Sequence, residues 1–172
     1  MVRTHIKPGK SNFKGFVVGA GFYALGRGAE SVSRINKDLK AELKAWPESY
    51  TVMMKVAPNG RELWLQKKGD RLKWISKQAS DADLIVLFKN LDTAYRIIST
   101  LSNVHTAFTQ NRIMVYGDVA QSMVLIRILN IVQAYLFPPI LSKNVLKRVP
   151  RFKFSEHMGR LRVYTSGLLF GL

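Results

Sequence analysis

The sequence contains no cysteine among its 172 residues. This absence excludes disulfide bonds, thiolate catalysis and cysteine-bound zinc or iron–sulfur centres. Its histidines, His5, His105 and His157, lie far apart and lack the spacing of metal ligands. Nucleophile motifs such as Gly-x-Ser-x-Gly and phosphate-binding loops are also absent. We therefore expect no catalytic residue, no metal and no cofactor.

Acidic residues are scarce, with 11 Asp and Glu against 27 Lys and Arg, which gives a net charge of +16. Residues 1–46 hold nine basic and three acidic residues, and residues 143–172 hold seven and one. The two ends thus carry +12 of the +16. Basic ends around a nearly balanced centre suggest contact with lipid headgroups or nucleic acid, although such charge also serves solubility alone.

The sequence has no uninterrupted apolar run of about 20 residues, the length that spans a membrane. Residues 15–26, GFVVGAGFYALG, follow a basic start and resemble a secretion signal. Within them Gly19, Gly21 and Ala24 match the G-x-G-x-x-A dinucleotide spacing, but only three apolar residues precede Gly19. That is too short for the strand the motif requires. We interpret the segment as small apolar surface that packs tightly or enters an interface.

Apolar spacing predicts the remaining elements. A stripe from Val32 to Trp46 predicts a helix over 29–46. Alternation around the Asn59-Gly60 turn predicts a three-stranded meander with Leu63 and Leu65 inward. Further predicted elements are a fourth strand over 81–88, a helix over 90–102 capped by Asn90, a fifth strand over 112–116, and a buried helix within 119–141. The outward side chains Trp64, Arg71, Lys73 and Lys77 predict a basic, solvated outer sheet face.

Asp118 follows Gly117 at the corner between the fifth strand and the last helix. Gln121 comes three residues later, as in a capping box, so we interpret Asp118 as a helix cap rather than a catalytic acid. Asp81 and Asp83 precede the fourth strand at a spacing of two. A metal site would need further oxygen ligands nearby, so we expect these two to be solvated turn acids.

Apolar residues exceed what about a hundred residues of sheet and helix require. Such a surplus fills a core or lines an apolar pocket, and a place in the core is the default interpretation for any single residue. From the inward strand phase and the helical stripes we expect eight residues to line one apolar, lipid-binding space: Trp74, Phe88, Tyr95, Ile98, Phe108, Met114, Met123 and Ile126.

Two segments, SDADLIVLFKNLDTAYRIIST (80–100) and TAFTQNRIMVYGDVAQSM (106–123), give the chain a family resemblance. In order and spacing, residues 30–137 resemble the type-two domain of the sterol carrier protein family. The resemblance implies an α+β fold, with a five-stranded, mostly antiparallel sheet covered on one face by helices. It also implies an apolar tunnel for a lipid and no catalytic machinery. Gln110-Asn111 replaces a glycine that is common in the family.

The resemblance divides the chain into a basic and apolar extension (1–28), a lipid-binding domain (29–137) and a second such extension (138–172). It implies a non-catalytic carrier of an isoprenoid quinone precursor, a fatty acyl chain or a sterol-like lipid. Such a carrier would be cytoplasmic, peripheral at the inner face of the membrane, and partnered by proteins of a lipid or quinone pathway.

The C-terminal extension combines basic and apolar side chains, which suit an anionic membrane surface. The expected membrane contacts are Lys147, Arg148, Arg151, Phe152, Lys153, Phe154, Arg160 and Arg162. The alternative is a nucleic-acid-binding protein that uses the same basic flanks, because basic residues interleaved with aromatic ones also suit a nucleic acid. Salt-sensitive retention on DNA without recovered lipid distinguishes that function.

Overall fold

A computed structural model describes residues 9–75, 82–99 and 110–136. The elements are α1 (Gly9–Ile35), α2 (Lys37–Leu43), β1 (Thr51–Val56), β2 (Glu62–Lys68), β3 (Arg71–Ile75), β4 (Leu84–Phe88), α3 (Leu91–Ile98), β5 (Ile113–Tyr116) and α4 (Val119–Leu136). The four helices and five strands of the described residues form the α+β fold expected from the sequence.

The five strands form one mixed sheet in the order β3-β2-β1-β4-β5. Strand β1 runs parallel to β4, and the other three neighbouring pairs are antiparallel. The prediction of a mostly antiparallel sheet is therefore confirmed. The meander is also confirmed, since the Asn59-Gly60 turn joins β1 to β2 and Gly69, at φ +60°, lies in the turn before β3. The parallel pair places β4 and β5 on the other side of β1.

The core lies between one face of this sheet and the helices. Leu63 and Leu65 of β2 point into it and are almost fully buried, as their strand phase predicts. Helix α1 packs on β2, β3, α3 and α4, so this single helix links the β2–β3 side of the sheet to the two helices α3 and α4. The core side of the sheet thus has a continuous helical cover.

The helix predicted over 29–46 is interrupted at Asn36, which corrects that prediction. Asn36 is extended (φ −93°, ψ 122°), and its side chain accepts a hydrogen bond from the backbone N–H of Leu39. Its amide nitrogen also donates to the Tyr135 hydroxyl of α4 at 3.2 Å. An asparagine that caps a new helix competes with continuation of the preceding one, so α1 ends at Ile35 and α2 begins at Lys37.

The apolar segment 15–26 lies inside α1 and packs tightly, with Gly19, Gly21 and Gly26 at contact points. A Cβ added to Gly21 would lie 2.1 Å from Cγ2 of Ile98, and one added to Gly28 would lie 2.9 Å from Leu136. The small residues therefore allow α1 to approach α3 and α4, and they need no nucleotide to account for them. The predicted domain boundary between residues 28 and 29 falls within this continuous helix.

The outer face of the sheet is less polar than the sequence predicts. Arg71 and Lys73 are exposed on it, as expected. However, strand register aligns an apolar row across all five strands, formed by Ile75, Trp64, Met53, Ile85 and Tyr116. Trp64 is buried, and its indole N–H donates to Glu62 at 3.1 Å. The outer face therefore combines a basic edge with an apolar band.

Helix α4 alone among the described elements is long and apolar enough to cross a membrane by length and composition. Much of it is buried within the fold, including Val124, Ile128 and Val132. It packs against α1 and α2 and covers the β4–β5 side of the sheet. The buried apolar residues of α4 are therefore accounted for by packing within the fold.

Candidate functional site

An apolar cavity of about 190 Å³ lies between the inner face of the sheet and helices α1, α3 and α4. The lining consists of Leu25, Met54, Val86, Phe88, Ile97, Ile98, Ile113, Val115, Val119, Ser122, Met123, Leu125, Ile126, Leu129 and Gln133. Among the described residues of this lining, only Ser122 and Gln133 are polar, and none is charged. Such a lining is suited to hydrocarbon.

Helix α4 forms the longest wall of the cavity. Its lining residues recur at helical spacing from Val119 to Gln133, so they extend about 21 Å along the helix axis at 1.5 Å per residue. At the start of the helix Val119 is 75% exposed and Met123 is 45% exposed. Gln133, toward the other end, is only 9% exposed. The cavity therefore has an outer end at Val119 and Met123 and an inner end at Gln133.

The strands contribute alternate residues to the opposite wall. Val86 and Phe88 of β4 line it together with Ile113 and Val115 of β5. Successive side chains in a strand point to opposite faces, so each strand presents every second residue. Met54 of β1 lies opposite Val86 in the parallel register. The three strands next to each other in the sheet thus form one apolar floor.

Of the eight residues expected to share an apolar space, four line this cavity: Phe88, Ile98, Met123 and Ile126. Phe108 lies outside the described residues. Trp74, Tyr95 and Met114 are not part of this lining.

Trp74 lies on β3, at the edge of the sheet farthest from β5. Its ring packs edge-on against Tyr23 with 5.4 Å between centroids, and the Arg27 guanidinium lies over it at 5.3 Å. It therefore anchors α1 to the sheet. Tyr95 lies beneath Lys14, whose Nζ is 5.6 Å from the ring centroid, so it contributes to the contact between α1 and α3.

Met114 occupies the opposite strand phase from Ile113 and Val115. Its sulfur accepts a hydrogen bond from the Tyr116 hydroxyl on the outer face at 3.7 Å. Both phases of β5 carry large apolar residues, so alternation in the sequence does not identify the inward one. Leu25 was missed because residues 1–28 were assigned to an extension, although its apolar neighbours in α1 signalled a packed helix.

Asp118 is a helix cap. Its Oδ1 accepts hydrogen bonds from the backbone N–H groups of Ala120 at 2.6 Å and Gln121 at 3.2 Å. The reciprocal half of a capping box is absent among the described residues, because Oε1 of Gln121 is buried without a hydrogen-bond partner. Gly117 beside it has φ +124°, a backbone conformation that favours glycine.

Asp83 is also structural, since its Oδ2 accepts from the backbone N–H of Thr51 at 2.8 Å at the start of β1. Burial, followed by the negative charges of Asp83 and Asp118, raises the pKa of the Tyr50 hydroxyl above its ordinary value. Asp81 lies outside the described residues. Within the described ranges, no group of three or more His, Asp or Glu side chains could hold a metal ion.

All eight expected membrane contacts, Lys147, Arg148, Arg151, Phe152, Lys153, Phe154, Arg160 and Arg162, lie outside the described residues. The three histidines do so as well. In the part of the chain that the structure describes, the candidate site is therefore the apolar cavity.

The fold and the cavity define an α+β protein with a helix-covered mixed sheet around an apolar space. No family model and no curated protein sequence matches the chain. Among solved structures, it is similar to a ubiquinone synthesis protein, UbiJ-SCP2, at 17% identity and a TM-score of 0.47, over 70% of this chain and 98% of that one.

Two sterol carrier structures are similar to it as well. The sterol carrier protein domain 2 of Helicoverpa armigera is 18% identical with a TM-score of 0.43, over 60% of this chain and 80% of that one. Sterol carrier protein 2 from Yarrowia lipolytica, in its apo form, is 16% identical with a TM-score of 0.44, over 65% of this chain and 88% of that one. These two belong to the family that the sequence resembles.

Proposed function

We propose that the protein is a non-catalytic lipid carrier that holds an apolar chain in the cavity beneath α4. The observation that carries this proposal is the lining, in which thirteen of the fifteen described residues are apolar and none of the fifteen is charged. The sequence resemblance to sterol carrier proteins supports the same function. Burying hydrocarbon against such a surface gains roughly 25 cal/mol per Å² of apolar area.

The cavity volume, about 190 Å³, is below the ~300–1,000 Å³ of typical ligand pockets. A long lipid therefore places only part of its length inside and extends past the exposed side chains of Val119 and Met123. We also propose that the cavity lengthens into a tunnel when lipid is bound.

The finer proposal is that the lipid is an isoprenoid quinone precursor, ahead of a fatty acyl or sterol-like ligand. The sequence resemblance extends to stand-alone bacterial members of the family, and these include accessory factors of isoprenoid quinone synthesis. We further propose a cytoplasmic, peripheral position at the inner face of the membrane, with partners from a lipid or quinone pathway. The basic ends of the chain support that position.

Two measurements test the carrier function. Native mass spectrometry of freshly purified protein is expected to reveal a bound lipid, and its mass distinguishes prenylated, acyl and sterol-like ligands. Ile126→Trp, which fills the cavity from α4, is expected to reduce uptake of a fluorescently labelled long-chain alcohol at least severalfold. Asn130→Trp is the matched control, because Asn130 is exposed on the same helix and outside the lining. Equal uptake by the two variants contradicts the proposed cavity.

A further inference from the structure

Gln133 is a polar residue in an otherwise apolar part of α4. It is 9% exposed and belongs to the cavity lining. Its side-chain amide forms no hydrogen bond within the parts of the chain that the structure describes. An amide offers two donors and an acceptor, and leaving these unpaired in a buried site is unfavourable. Gln133 therefore holds unused hydrogen-bonding capacity at the inner end of the cavity.

Ser122, the other polar lining residue, differs in this respect. Its hydroxyl donates to the backbone carbonyl of Val119 at 2.6 Å, within α4 itself. It also lies near the outer end of the cavity, one turn from the exposed Val119. Among the described lining residues, the side-chain donors and acceptor without a hydrogen bond therefore lie at the buried end of the cavity, opposite the end where a lipid would enter.

We propose that Gln133 orients the ligand and selects lipids whose polar end is uncharged, such as a hydroxyl or a carbonyl. The polar group pairs with the Gln133 amide, and the hydrocarbon chain runs outward past Ile126 toward Met123. This inference rests on the lipid-carrier function proposed above. It adds the chemistry of the end group and the direction in which the lipid lies.

The exclusion of charge follows from the lining. A carboxylate at the depth of Gln133 would lose its hydration and meet no cationic side chain among the described residues, since none of those in the lining is Lys, Arg or His. A plain alkane avoids that cost but leaves the amide unpaired. A neutral alcohol, phenol or quinone satisfies both conditions, so these are the expected ligand classes.

A matched series of probes tests this selectivity: hexadecanol, hexadecane and ionised palmitate. Each is distributed between the full-length protein and phosphatidylcholine vesicles at pH 9, and the protein-bound fraction is compared with the fraction left in the vesicles. Wild-type protein is expected to favour hexadecanol over hexadecane by about five- to tenfold, the equivalent of one neutral hydrogen bond. It is expected to favour palmitate least.

Gln133→Leu is expected to abolish the preference for hexadecanol while uptake of hexadecane stays the same or rises. Asn130→Leu is the matched control, because it makes a similar polar-to-apolar change at an exposed residue of the same helix that lies outside the lining. The control is expected to keep the wild-type preference. A Gln133→Leu protein that folds and still prefers the alcohol overturns the proposal.

The wild-type protein provides a test that needs no variant. The side-chain amide NMR signal of Gln133 is expected to shift on addition of hexadecanol and to stay in place with hexadecane. A bulky fluorophore on the methyl end of hexadecanol should be tolerated, whereas one on the oxygen should prevent binding. Equal response to both lipids, or tolerance of the oxygen-linked fluorophore, overturns the role of Gln133 but leaves the carrier function standing. If the protein retains none of hexadecanol, hexadecane and palmitate, both the role of Gln133 and the carrier function are overturned.

Discussion

Gly21 of α1 lies against Ile98 of α3 so closely that a Cβ on Gly21 would be 2.1 Å from Cγ2 of Ile98. Ile98 also lines the cavity. The absence of a side chain at residue 21 therefore determines how near α1 comes to α3 and where one wall of the cavity stands. Any side chain at this position must displace Ile98.

Gly21→Ala is therefore expected to lower the free energy of unfolding by about 1–3 kcal/mol through overpacking. Gly15→Ala is the control in the same helix, because no atom lies within 4 Å of a Cβ at that position. There the better helix propensity of alanine should stabilise by up to about 1 kcal/mol. Urea denaturation measures both changes.

A double variant tests the cause of that loss. Adding Ile98→Ala to Gly21→Ala should destabilise by less than the sum of the two single changes, since the clash is removed. Additive effects would show that the contact between these two residues does not limit the packing of α1.

Asp118→Ala is expected to lower the free energy of unfolding by about 1 kcal/mol through loss of the cap on α4. Asp118→Asn retains a side-chain oxygen and should cost less. Both variants should keep their lipid well below the melting temperature, as measured by native mass spectrometry. Complete loss of lipid from a folded Asp118→Ala protein would return Asp118 to the functional residues.

The ion pair between Lys14 of α1 and Asp92 of α3 should make the free energy of unfolding depend on pH in the acidic range. The hydrogen bond from Lys14, followed by that from Arg96, lowers the pKa of Asp92 below its ordinary value. A carboxylate with a lowered folded-state pKa stabilises the fold fully above the unfolded pKa of about 3.9. That contribution disappears as the pH falls through the folded-state pKa.

Asp92→Asn should consequently be less stable than the wild-type protein at pH 6 and should approach it as the pH falls below about 4. The difference at neutral pH should stay below about 1 kcal/mol, because both partners are substantially exposed and screened by water. Urea midpoints across this pH range provide the measurement. A constant difference at every pH would assign the effect to something other than this carboxylate.

Truncation after Pro139 is expected to weaken binding to phosphatidylserine or cardiolipin vesicles while the shortened protein keeps its lipid. The removed segment carries the basic residues of the C-terminal extension, each contributing on the order of 1 kcal/mol near an anionic surface. Raising salt from about 0.1 to about 0.5 M should release most of the full-length protein. Equal sedimentation of both forms at low salt would assign the charge to another partner.

Local sequence signals predicted the features that depend on a few neighbouring residues. The Asn59-Gly60 hairpin, the Asn90 cap of α3 and the Asp118 cap of α4 all have the predicted structure. In each case one side chain or one turn conformation decides the local backbone. The inward-facing side chains of β2 were equally predictable from the sequence, because Leu63 and Leu65 alternate with less apolar or larger neighbours.

Features that depend on contacts between distant parts of the chain could not be predicted from such local signals. Trp74 was assigned to the cavity because its strand phase points inward, which is correct, but the order of strands places β3 away from β5. The end of α1 at Asn36 depends partly on Tyr135, 99 residues along the chain. The place of Gln133 in the cavity lining was not predicted, since sequence alone does not give its burial.

Helix α4 follows all five strands along the chain, yet it provides the longest wall of the cavity. During synthesis, Met54, Val86 and Phe88 are therefore made well before the helix that covers them. A nascent chain that has completed β4 exposes the apolar sheet face that α4 later covers, and such surfaces promote aggregation. We therefore expect the partly synthesised chain to be prone to aggregation at these cavity residues until α4 is complete or a chaperone binds.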